Sequence, residues 1–273
     1  QIMVCLVING RTLGKRPDGS SLDELLVNML NGLQFKESGA HIASISLNIN
    51  TERTNVILGN DVITLAGTPC IEEKLEDLTF RISPLAFFQV NTCQAELLYR
   101  KVLEYADLSG NETVWDLYCG TGTISLFLAR MAKKVYGVEM IQAAIDNANE
   151  NAALNGIENA EFFCGKSEEI FPDITKGRSF CNKNHDNLTE EPSPCQVVVL
   201  DPPRKGCDRA LLEAIMEVGP DRIVYVSCDS ATLARDIKIL SKKYKFTEAT
   251  PVDLFPHTVH VECCVLLSKL HSE

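Results

Sequence analysis

Two residues towards the carboxyl end of the sequence have the types that covalent catalysis requires, a thiol and a carboxylate. Cys228 lies between an apolar run that predicts a strand and a segment that predicts a helix. Free N–H groups and the dipole at a helix start favour a thiolate, so we predict a lowered pKa and a nucleophile here. Glu262 begins another apolar run and is a candidate general base for the same cleft. A buried structural cysteine is the alternative interpretation of Cys228.

A third candidate is the loop Asp201-Pro202-Pro203-Arg204-Lys205-Gly206, which follows an apolar strand. The two prolines stiffen the loop and would hold Asp201 and Arg204 at the carboxyl edge of a sheet. In loops that serve amino-group methylation an aromatic ring follows the prolines. Arg204 stands at that place here, which disfavours that chemistry. The alternative is a rigid turn without a catalytic role.

A glycine-rich turn joins a predicted strand to a predicted helix in the segment Val114–Thr123. Gly120 and Gly122 would let the backbone approach a ligand closely, and Glu139, at the end of the next strand, could accept ribose hydroxyls. Ser125 stands where a dinucleotide fingerprint has its third glycine, which favours S-adenosylmethionine over a dinucleotide. A structural turn without ligand is the alternative. A metal site at His257, His260 and Glu262 lacks a further His or Cys ligand, so no metal is predicted.

The elements that must position these residues alternate along the chain. The predicted strands are 113–117, 134–138, 160–163, 196–200, 222–226 and 261–267, and the predicted helices are 94–105, 123–132, 142–154, 208–217 and 231–240. This alternation predicts a doubly wound, Rossmann-like α/β sheet over residues 76–273. Residues 1–75 read as a smaller α+β subdomain with a helix at 20–33 and strands at 3–8, 43–48, 55–58 and 61–66. Residues 175–194 predict a polar surface loop.

Composition sets limits on the function classes. The 273 residues carry a formal net charge of −11, which argues against a general nucleic-acid binder, although small basic clusters exist. The eleven cysteines form no Cys-x-x-Cys pair, which favours a reducing cytoplasm over a disulfide scaffold. No apolar stretch approaches about 18 residues, so no membrane partner is expected. The sequence opens without Met on a strand already in progress, and we interpret it as part of a longer protein.

Five stretches together resemble the RNA uracil-C5 methyltransferases that act on transfer and ribosomal RNA. They are Phe88-Gln89-Val90-Asn91, Asp116–Gly122, Asp201–Gly206, Val226-Ser227-Cys228-Asp229 and Phe255–Glu262, in the family's order. The resemblance implies that Cys228 is the nucleophile and Glu262 the base, with S-adenosyl-L-methionine as the cofactor. It implies a cofactor pocket of Gln89, Tyr118, Gly120, Thr123, Glu139 and Asp201. It also implies substrate contacts from Phe88, Asp201, Arg204 and His257.

The resemblance also bears on the RNA substrate. The amino-acid sequence of residues 205–208 and 260–262 is more similar to that of bacterial 23S ribosomal-RNA members than to that of transfer-RNA members, which remain the alternative. Full ribosomal members have an N-terminal OB-type barrel, and some carry a four-cysteine iron–sulfur cluster. Neither is seen in this sequence. A non-catalytic RNA-binding or RNA-folding module and a nucleotide-dependent oxidoreductase are the other functions that the fold would allow.

Overall fold

A computed structural model describes residues 1–33, 35, 38–53, 57–175 and 195–270 of the chain. The chain divides into two units, Gln1–Phe87 and Phe88–Glu273. The sequence placed this division earlier, between residues 75 and 76. That position lies inside a hairpin whose strands, Ile71–Leu75 and Leu78–Ile82, pair with each other in the first unit. Most of the polar loop predicted at 175–194, and half of the strand predicted at 55–58, lie outside the described residues.

The first unit is built around a three-stranded sheet. Its strands are β1 (Ile2–Ile8), β2 (Ile42–Ile49) and β3 (Asp61–Gly67), and β2 lies between a parallel β1 and an antiparallel β3. Helix α1 (Leu22–Asn31) begins where the side chain of Ser21 accepts a hydrogen bond from the Glu24 amide. The hairpin described above contributes β4 and β5, which the sequence pattern did not predict. This unit is the smaller α+β part expected from the sequence.

The second unit contains a seven-stranded mixed sheet. Its strands are β6 (Thr113–Leu117), β7 (Lys134–Glu139), β8 (Ala160–Cys164), β9 (Cys195–Leu200), β10 (Arg222–Ser227), β11 (Tyr244–Val252) and β12 (Glu262–Lys269). Their order is β11-β12-β10-β9-β6-β7-β8. The strands from β10 to β8 are parallel, whereas β12 runs antiparallel to both of its neighbours. The predicted doubly wound, Rossmann-like α/β fold is confirmed.

Among the residues that the structure describes, six helices accompany this sheet. They are α2 (Thr92–Ala106), α3 (Thr123–Ala129), α4 (Gln142–Leu154), α5 (Ser167–Thr175), α6 (Arg209–Val218) and α7 (Ser230–Leu240). One continuous apolar cluster joins sheet residues such as Trp115 and Val198 to side chains of α5, α6 and α7. Helix α2 packs against α3 and against β10 and β12. The central strands are fully buried, as their unbroken apolar runs predicted.

Two elements of this unit were missed by the sequence pattern. Strand β11 exposes most of its residues and, within the part of the chain that the structure describes, pairs only with β12, so its sequence has no apolar run. Helix α5 contains Pro172, which interrupts a helical pattern. Among the described residues, no helix has the length and hydropathy that crossing a membrane requires.

Candidate active site

The glycine turn predicted for the cofactor lies between β6 and α3, at the carboxyl edge of the parallel strands. The Tyr118 and Cys119 amides both donate to the carbonyl of Val138, at distances of 2.9 and 3.0 Å, so the turn crosses the end of β7. Tyr118 has a φ of 86°, a left-handed conformation that costs free energy for a residue with a side chain. The turn is therefore a strained but well-bonded structure.

The two glycines of the turn face different surroundings. A Cβ on Gly122 would lie 3.1 Å from both the Cβ of Ala148 and the ring of Phe162, so this glycine permits close packing of the turn. A Cβ on Gly120 would meet no atom of the described residues within 4 Å, although its φ is 55°. Gly120 thus leaves open space above the backbone, where a ligand can approach.

Acidic side chains surround the turn. Asp116 is fully buried and accepts a hydrogen bond of 2.5 Å from Ser125 through Oδ2, while its Oδ1 has no hydrogen-bond partner among the described residues. Burial, with the charge of Glu139 added, raises the pKa of Asp116 to about 7. Glu139 accepts a bond of 3.0 Å from the Ile141 amide. An open glycine, a carboxylate at the end of β7 and a buried oxygen without a partner fit a polar adenosyl ligand.

Strand pairing brings Cys228 and Glu262 together. Ser227, the last residue of β10, pairs with Cys263 of the antiparallel β12. Cys228 follows Ser227, and Glu262 precedes Cys263 because β12 runs in the opposite direction, so both lie at the carboxyl edge of the parallel strands. Asp201 follows β9, the strand on the other side of β10. The three predicted residues therefore emerge from adjacent strands.

The charges of these three groups affect one another. Glu262 is only 3% exposed, and burial raises its pKa to about 7. Burial raises the pKa of Asp201 well above its ordinary value, and the charges of Glu262 and Asp116 add to that shift. Carboxyl groups held protonated near neutral pH by burial and by like charges are typical of acid–base sites.

The predicted lowering of the Cys228 pKa is wrong for the protein without ligands. Burial and the charges of Glu262 and Asp201 raise the pKa of this thiol, and the positive charge of Arg204 opposes them only in part. The helix start also offers less than expected, because the Asp229 carboxylate accepts the Ala231 and Thr232 amides at 3.0 and 2.9 Å. Those N–H groups are no longer free to stabilise a thiolate.

Two of the residues predicted to contact the substrate, Arg204 and His257, are exposed to solvent. Arg204 is exposed, and its Nη2 lies 3.5 Å from Nε2 of His260. His257 is exposed and has a φ of 66°, in a turn where the Thr258 amide donates to the Phe255 carbonyl. No group of three or more His, Cys, Asp or Glu side chains in the described part of the chain is arranged to hold a metal ion.

The segment that precedes α2 contains Phe88, which is partly buried, and Gln89, which is buried. Asn91 caps α2 by accepting the Gln94 amide, and its Nδ2 donates to the Leu254 carbonyl at 3.2 Å. The segment is thus fixed to the chain that leads into β12. Direct contacts of Phe88 and Gln89 with ligands stay predictions.

The sequence of the chain matches a known protein family. Residues 22–270 match the family described as tRNA (uracil-5-)-methyltransferase. The chain belongs to this family. S-adenosylmethionine, the cofactor predicted from the sequence, agrees with this family. The predicted class of protein, an RNA methyltransferase, agrees with it as well.

Individual relatives agree with the family. A protein from Clostridium tetani described as an uncharacterized RNA methyltransferase is 45% identical over 98% of this chain and 53% of its own length. One from Bacillus cereus with the same description is 51% identical over 83% of this chain and 46% of its own. The chain therefore spans about half the length of these curated relatives.

Among solved structures, the chain resembles that of Pyrococcus abyssi tRNA (uracil-54, C5)-methyltransferase, which holds S-adenosyl-L-homocysteine. The TM-score is 0.71 at 30% identity, covering 97% of this chain and 56% of that one.

Tyr99 is a residue of the site that the sequence did not reveal. It lies on α2, is 3% exposed, and shares a hydrogen bond with Thr123 at the start of α3. Burial is the main cause that raises its pKa, and the charges of Asp201, Asp116 and Glu262 contribute. The Tyr99 hydroxyl therefore lies within the electrostatic influence of three acidic groups of the candidate site. Its position four residues after Ala95 and three before Val102, both buried, is that of an ordinary core residue.

Proposed function

We propose that the chain is the catalytic part of an RNA uracil-C5 methyltransferase that uses Cys228 as a covalent nucleophile. The observation that carries the proposal is the strand register that brings Cys228 beside Glu262, next to Asp201. All three residues lie at the edge of the sheet that also carries the open glycine turn.

The proposed chemistry follows from the weak nucleophilicity of uracil C5. Addition of the Cys228 thiolate to C6 makes C5 enolate-like and able to accept a methyl group. After C5 is methylated, Glu262 takes the C5 proton, and the thiolate leaves as the C5–C6 double bond forms again. A carboxylate with a pKa of about 7 is well matched to this proton transfer near neutral pH.

The cofactor that we propose is S-adenosylmethionine, which supplies an electrophilic methyl group when bound. The open space at Gly120 would let the cofactor approach the backbone of the turn closely, and Glu139 would accept hydrogen bonds from the ribose hydroxyls. Tyr118, Thr123, Gln89 and Asp201 complete the proposed pocket. Tyr99, through its bond to Thr123, would support that side of the pocket.

For the RNA we propose 23S ribosomal RNA, with transfer RNA as the alternative. The amino-acid sequence of residues 205–208 and 260–262 supports the ribosomal assignment. The description of the family and that of the Pyrococcus abyssi structure both refer to transfer RNA. The target uridine must leave its stack, at a cost of a few kcal/mol, to reach the thiol. Arg204, Phe88 and His257 are the proposed RNA contacts. A cytoplasmic location and an OB-type barrel elsewhere in the full-length protein belong to the same proposal.

Tritium release tests the reaction. RNA carrying 5-tritiated uridine is incubated with the protein and S-adenosylmethionine, and we expect tritium in water only when both are present. Release must disappear in Cys228→Ala. A protein that binds this RNA and the cofactor but releases no tritium would be a non-catalytic RNA-binding module. Binding of NAD(P) in place of S-adenosylmethionine, measured by calorimetry, would indicate an oxidoreductase.

The substrate is tested in cells. Ribosomal and transfer RNA from a strain lacking the gene are digested and analysed by mass spectrometry for 5-methyluridine. Loss from 23S RNA alone supports our assignment, and loss from transfer RNA alone replaces it with the alternative.

A further inference from the structure

A buried carboxylate outside the proposed chemistry holds the loop that carries Arg204. Asp236, on α7, is fully buried. Its Oδ2 accepts a hydrogen bond of 2.8 Å from the Cys207 amide and another of 2.7 Å from the Tyr225 hydroxyl. A buried carboxylate that accepts several bonds is strongly tied to its partners.

Arg235 adds a second connection between α7 and the same loop. Its Nε donates to Oδ1 of Asp236 at 2.8 Å, while its Nη2 donates to the carbonyl of Lys205 at 2.9 Å and lies 3.4 Å from that of Cys207. Only a guanidinium has donors so arranged that it can bridge a carboxylate and backbone carbonyls at once.

The loop closes tightly over these two side chains. Gly206 has a φ of 74°, and a Cβ there would lie 2.6 Å from both Nη2 of Arg235 and Oδ2 of Asp236. The Thr232 hydroxyl also donates to the Arg204 carbonyl at 3.1 Å. The loop therefore rests on α7 with no room for a side chain at its centre.

The same carboxylate ends a chain of hydrogen bonds that starts at the glycine turn. The Tyr118 hydroxyl bonds to the Cys207 thiol, which lies 3.5 Å from the Tyr225 hydroxyl. Tyr225 in turn donates to Asp236. A fixed chain of buried donors and acceptors thus connects the proposed cofactor turn, the loop and α7.

We propose that Asp236 and Arg235 are positioning residues that fix the segment Arg204–Cys207 on α7 and so hold Arg204 beside the nucleophile. This inference rests on the proposed function, because its benefit is the placement of Arg204 and Asp201 against Cys228 and the uridine. We call Arg235, Asp236 and the segment Arg204–Cys207 the loop clamp. The clamp determines the rate of thiol addition, whereas it does not touch the reacting atoms.

The test uses Arg235→Ala, because Arg235 is half-exposed and its loss leaves no cavity. Arg235→Lys keeps the charge but lacks the fork of donors, and Lys238→Ala, on the same helix, is the matched loss of a charge away from the loop. Single-turnover adduct formation with RNA containing 5-fluorouridine is measured at saturating RNA and S-adenosylmethionine, well below the melting temperature. We expect a decrease of about 10- to 100-fold in both Arg235 variants and none in Lys238→Ala.

Other outcomes would overturn the clamp. If Arg235→Lys restores the rate, or if only the KM for RNA rises, Arg235 is a phosphate contact. If the rate at saturation is that of the wild type while the melting temperature falls, the network serves stability alone.

Hydrogen exchange separates the clamp from the proposed function. In Arg235→Ala, Asp236 loses the donor that orients it and the Lys205 carbonyl loses its donor, so the bond from the Cys207 amide to Asp236 should open more often. We therefore expect faster exchange across residues 203–208 in Arg235→Ala and unchanged exchange in Lys238→Ala. Unchanged exchange in Arg235→Ala would overturn the clamp even if the enzyme is active. If the wild-type protein forms no adduct, the proposed function fails, and the exchange result alone decides the clamp.

Discussion

The site has two sides that are built by different means. The cofactor side consists of the β6–α3 turn and the end of β7, and it relies on backbone geometry: an open glycine, two amides that share one carbonyl and a packed second glycine. The nucleophile side consists of the ends of β9 and β10 and the start of β12, and it relies on side chains whose pKa values burial and mutual repulsion have raised.

This difference predicts which step of the proposed reaction depends on each side. Backbone contacts do not titrate, so the contribution of the turn itself to cofactor binding should depend little on pH, whereas Asp116, with a pKa of about 7, adds a contribution that changes near neutral pH. The nucleophile side holds a thiol and two acids that all favour their protonated forms, so the chemical step should accelerate as pH rises. Substitutions on the two sides should therefore affect different steps.

The largest effect is expected from Cys228→Ala, which removes the nucleophile and leaves the cofactor side intact. We expect methyl transfer to fall by at least about 10⁴-fold, while the Kd for S-adenosylmethionine stays that of the wild type. Covalent adducts with 5-fluorouridine RNA are measured on denaturing gels. The control is Cys263→Ala, the nearest thiol on β12. An adduct in Cys228→Ala that disappears in Cys263→Ala would reassign the nucleophile.

Glu262→Gln should stop the reaction at a later point than Cys228→Ala. The glutamine cannot take the C5 proton, so the methylated adduct accumulates and product release slows by about 10²- to 10⁴-fold. In the wild type, product formation should rise with pH through about 7, as Glu262 loses its proton. Rapid-quench measurements of adduct and product test both points. Glu213→Gln, an exposed carboxylate on α6, is the control. Normal turnover in Glu262→Gln would exclude Glu262 as the base.

The cofactor side is tested by two glycines with similar backbones. Gly120 and Gly156 have φ values of 55° and 65°, and a Cβ on either would meet no atom within 4 Å. Each change to Ala should cost about 1–2 kcal/mol of stability, because the left-handed conformation disfavours a side chain. Only Gly120→Ala should also weaken S-adenosylmethionine binding, by about tenfold. Calorimetry and thermal unfolding measure both effects. Equal cofactor affinities would place the ligand elsewhere.

The last effect concerns stability alone, not the reaction, and has opposite signs at two glutamates. Burial raises the pKa of Glu262 from 4.5 to about 7, so the unfolded chain loses this proton first and stability falls as pH rises between those values. The glutamine of Glu262→Gln does not titrate. The free energy of unfolding of this variant, relative to that of the wild type, should therefore rise by of the order of 2 kcal/mol between about pH 5 and pH 8.

Glu112 provides the contrast for that measurement. Hydrogen bonds from Ser109 lower its pKa from 4.5 to about 2, so its stabilisation is present above 4.5 and is lost as pH falls towards 2. Glu112→Gln should therefore be more destabilising near pH 8 than near pH 3. Urea unfolding at each pH tests both variants, and a shared sign would contradict the assigned pKa shifts.

The sequence predicted the strands of the sheet well where they are buried on both faces, since continuous runs such as Val197–Leu200 allow no other interpretation. It missed β11, because an edge strand that is mostly exposed has no apolar signature. It missed α5, because Pro172 interrupts the helical pattern. Pairing partners and strand order, which bring Cys228 to Glu262, depend on long-range contacts that local patterns do not contain.

Within the site, the glycine turn and Glu139 could be located from spacing, because backbone requirements leave marks in the local sequence. Tyr99 could not, since its hydroxyl reaches Thr123 only in the folded chain. The predicted direction of the Cys228 pKa shift was wrong because the local argument counted the helix start. It omitted burial in the folded chain and the charges of Glu262 and Asp201, which arrive from other strands. The roles of the predicted site residues stay predictions for the experiments above.

The reversed direction of β12 has a consequence for synthesis on the ribosome. All parallel strands, the glycine turn and the thiol precede residue 262, so a nascent chain can assemble them while β12 is still within the exit tunnel. Insertion of β12 between β10 and β11 then delivers the proposed base last. Until then, a nascent chain has the thiol without the proposed base, so it lacks the group that the proposed release of the product requires.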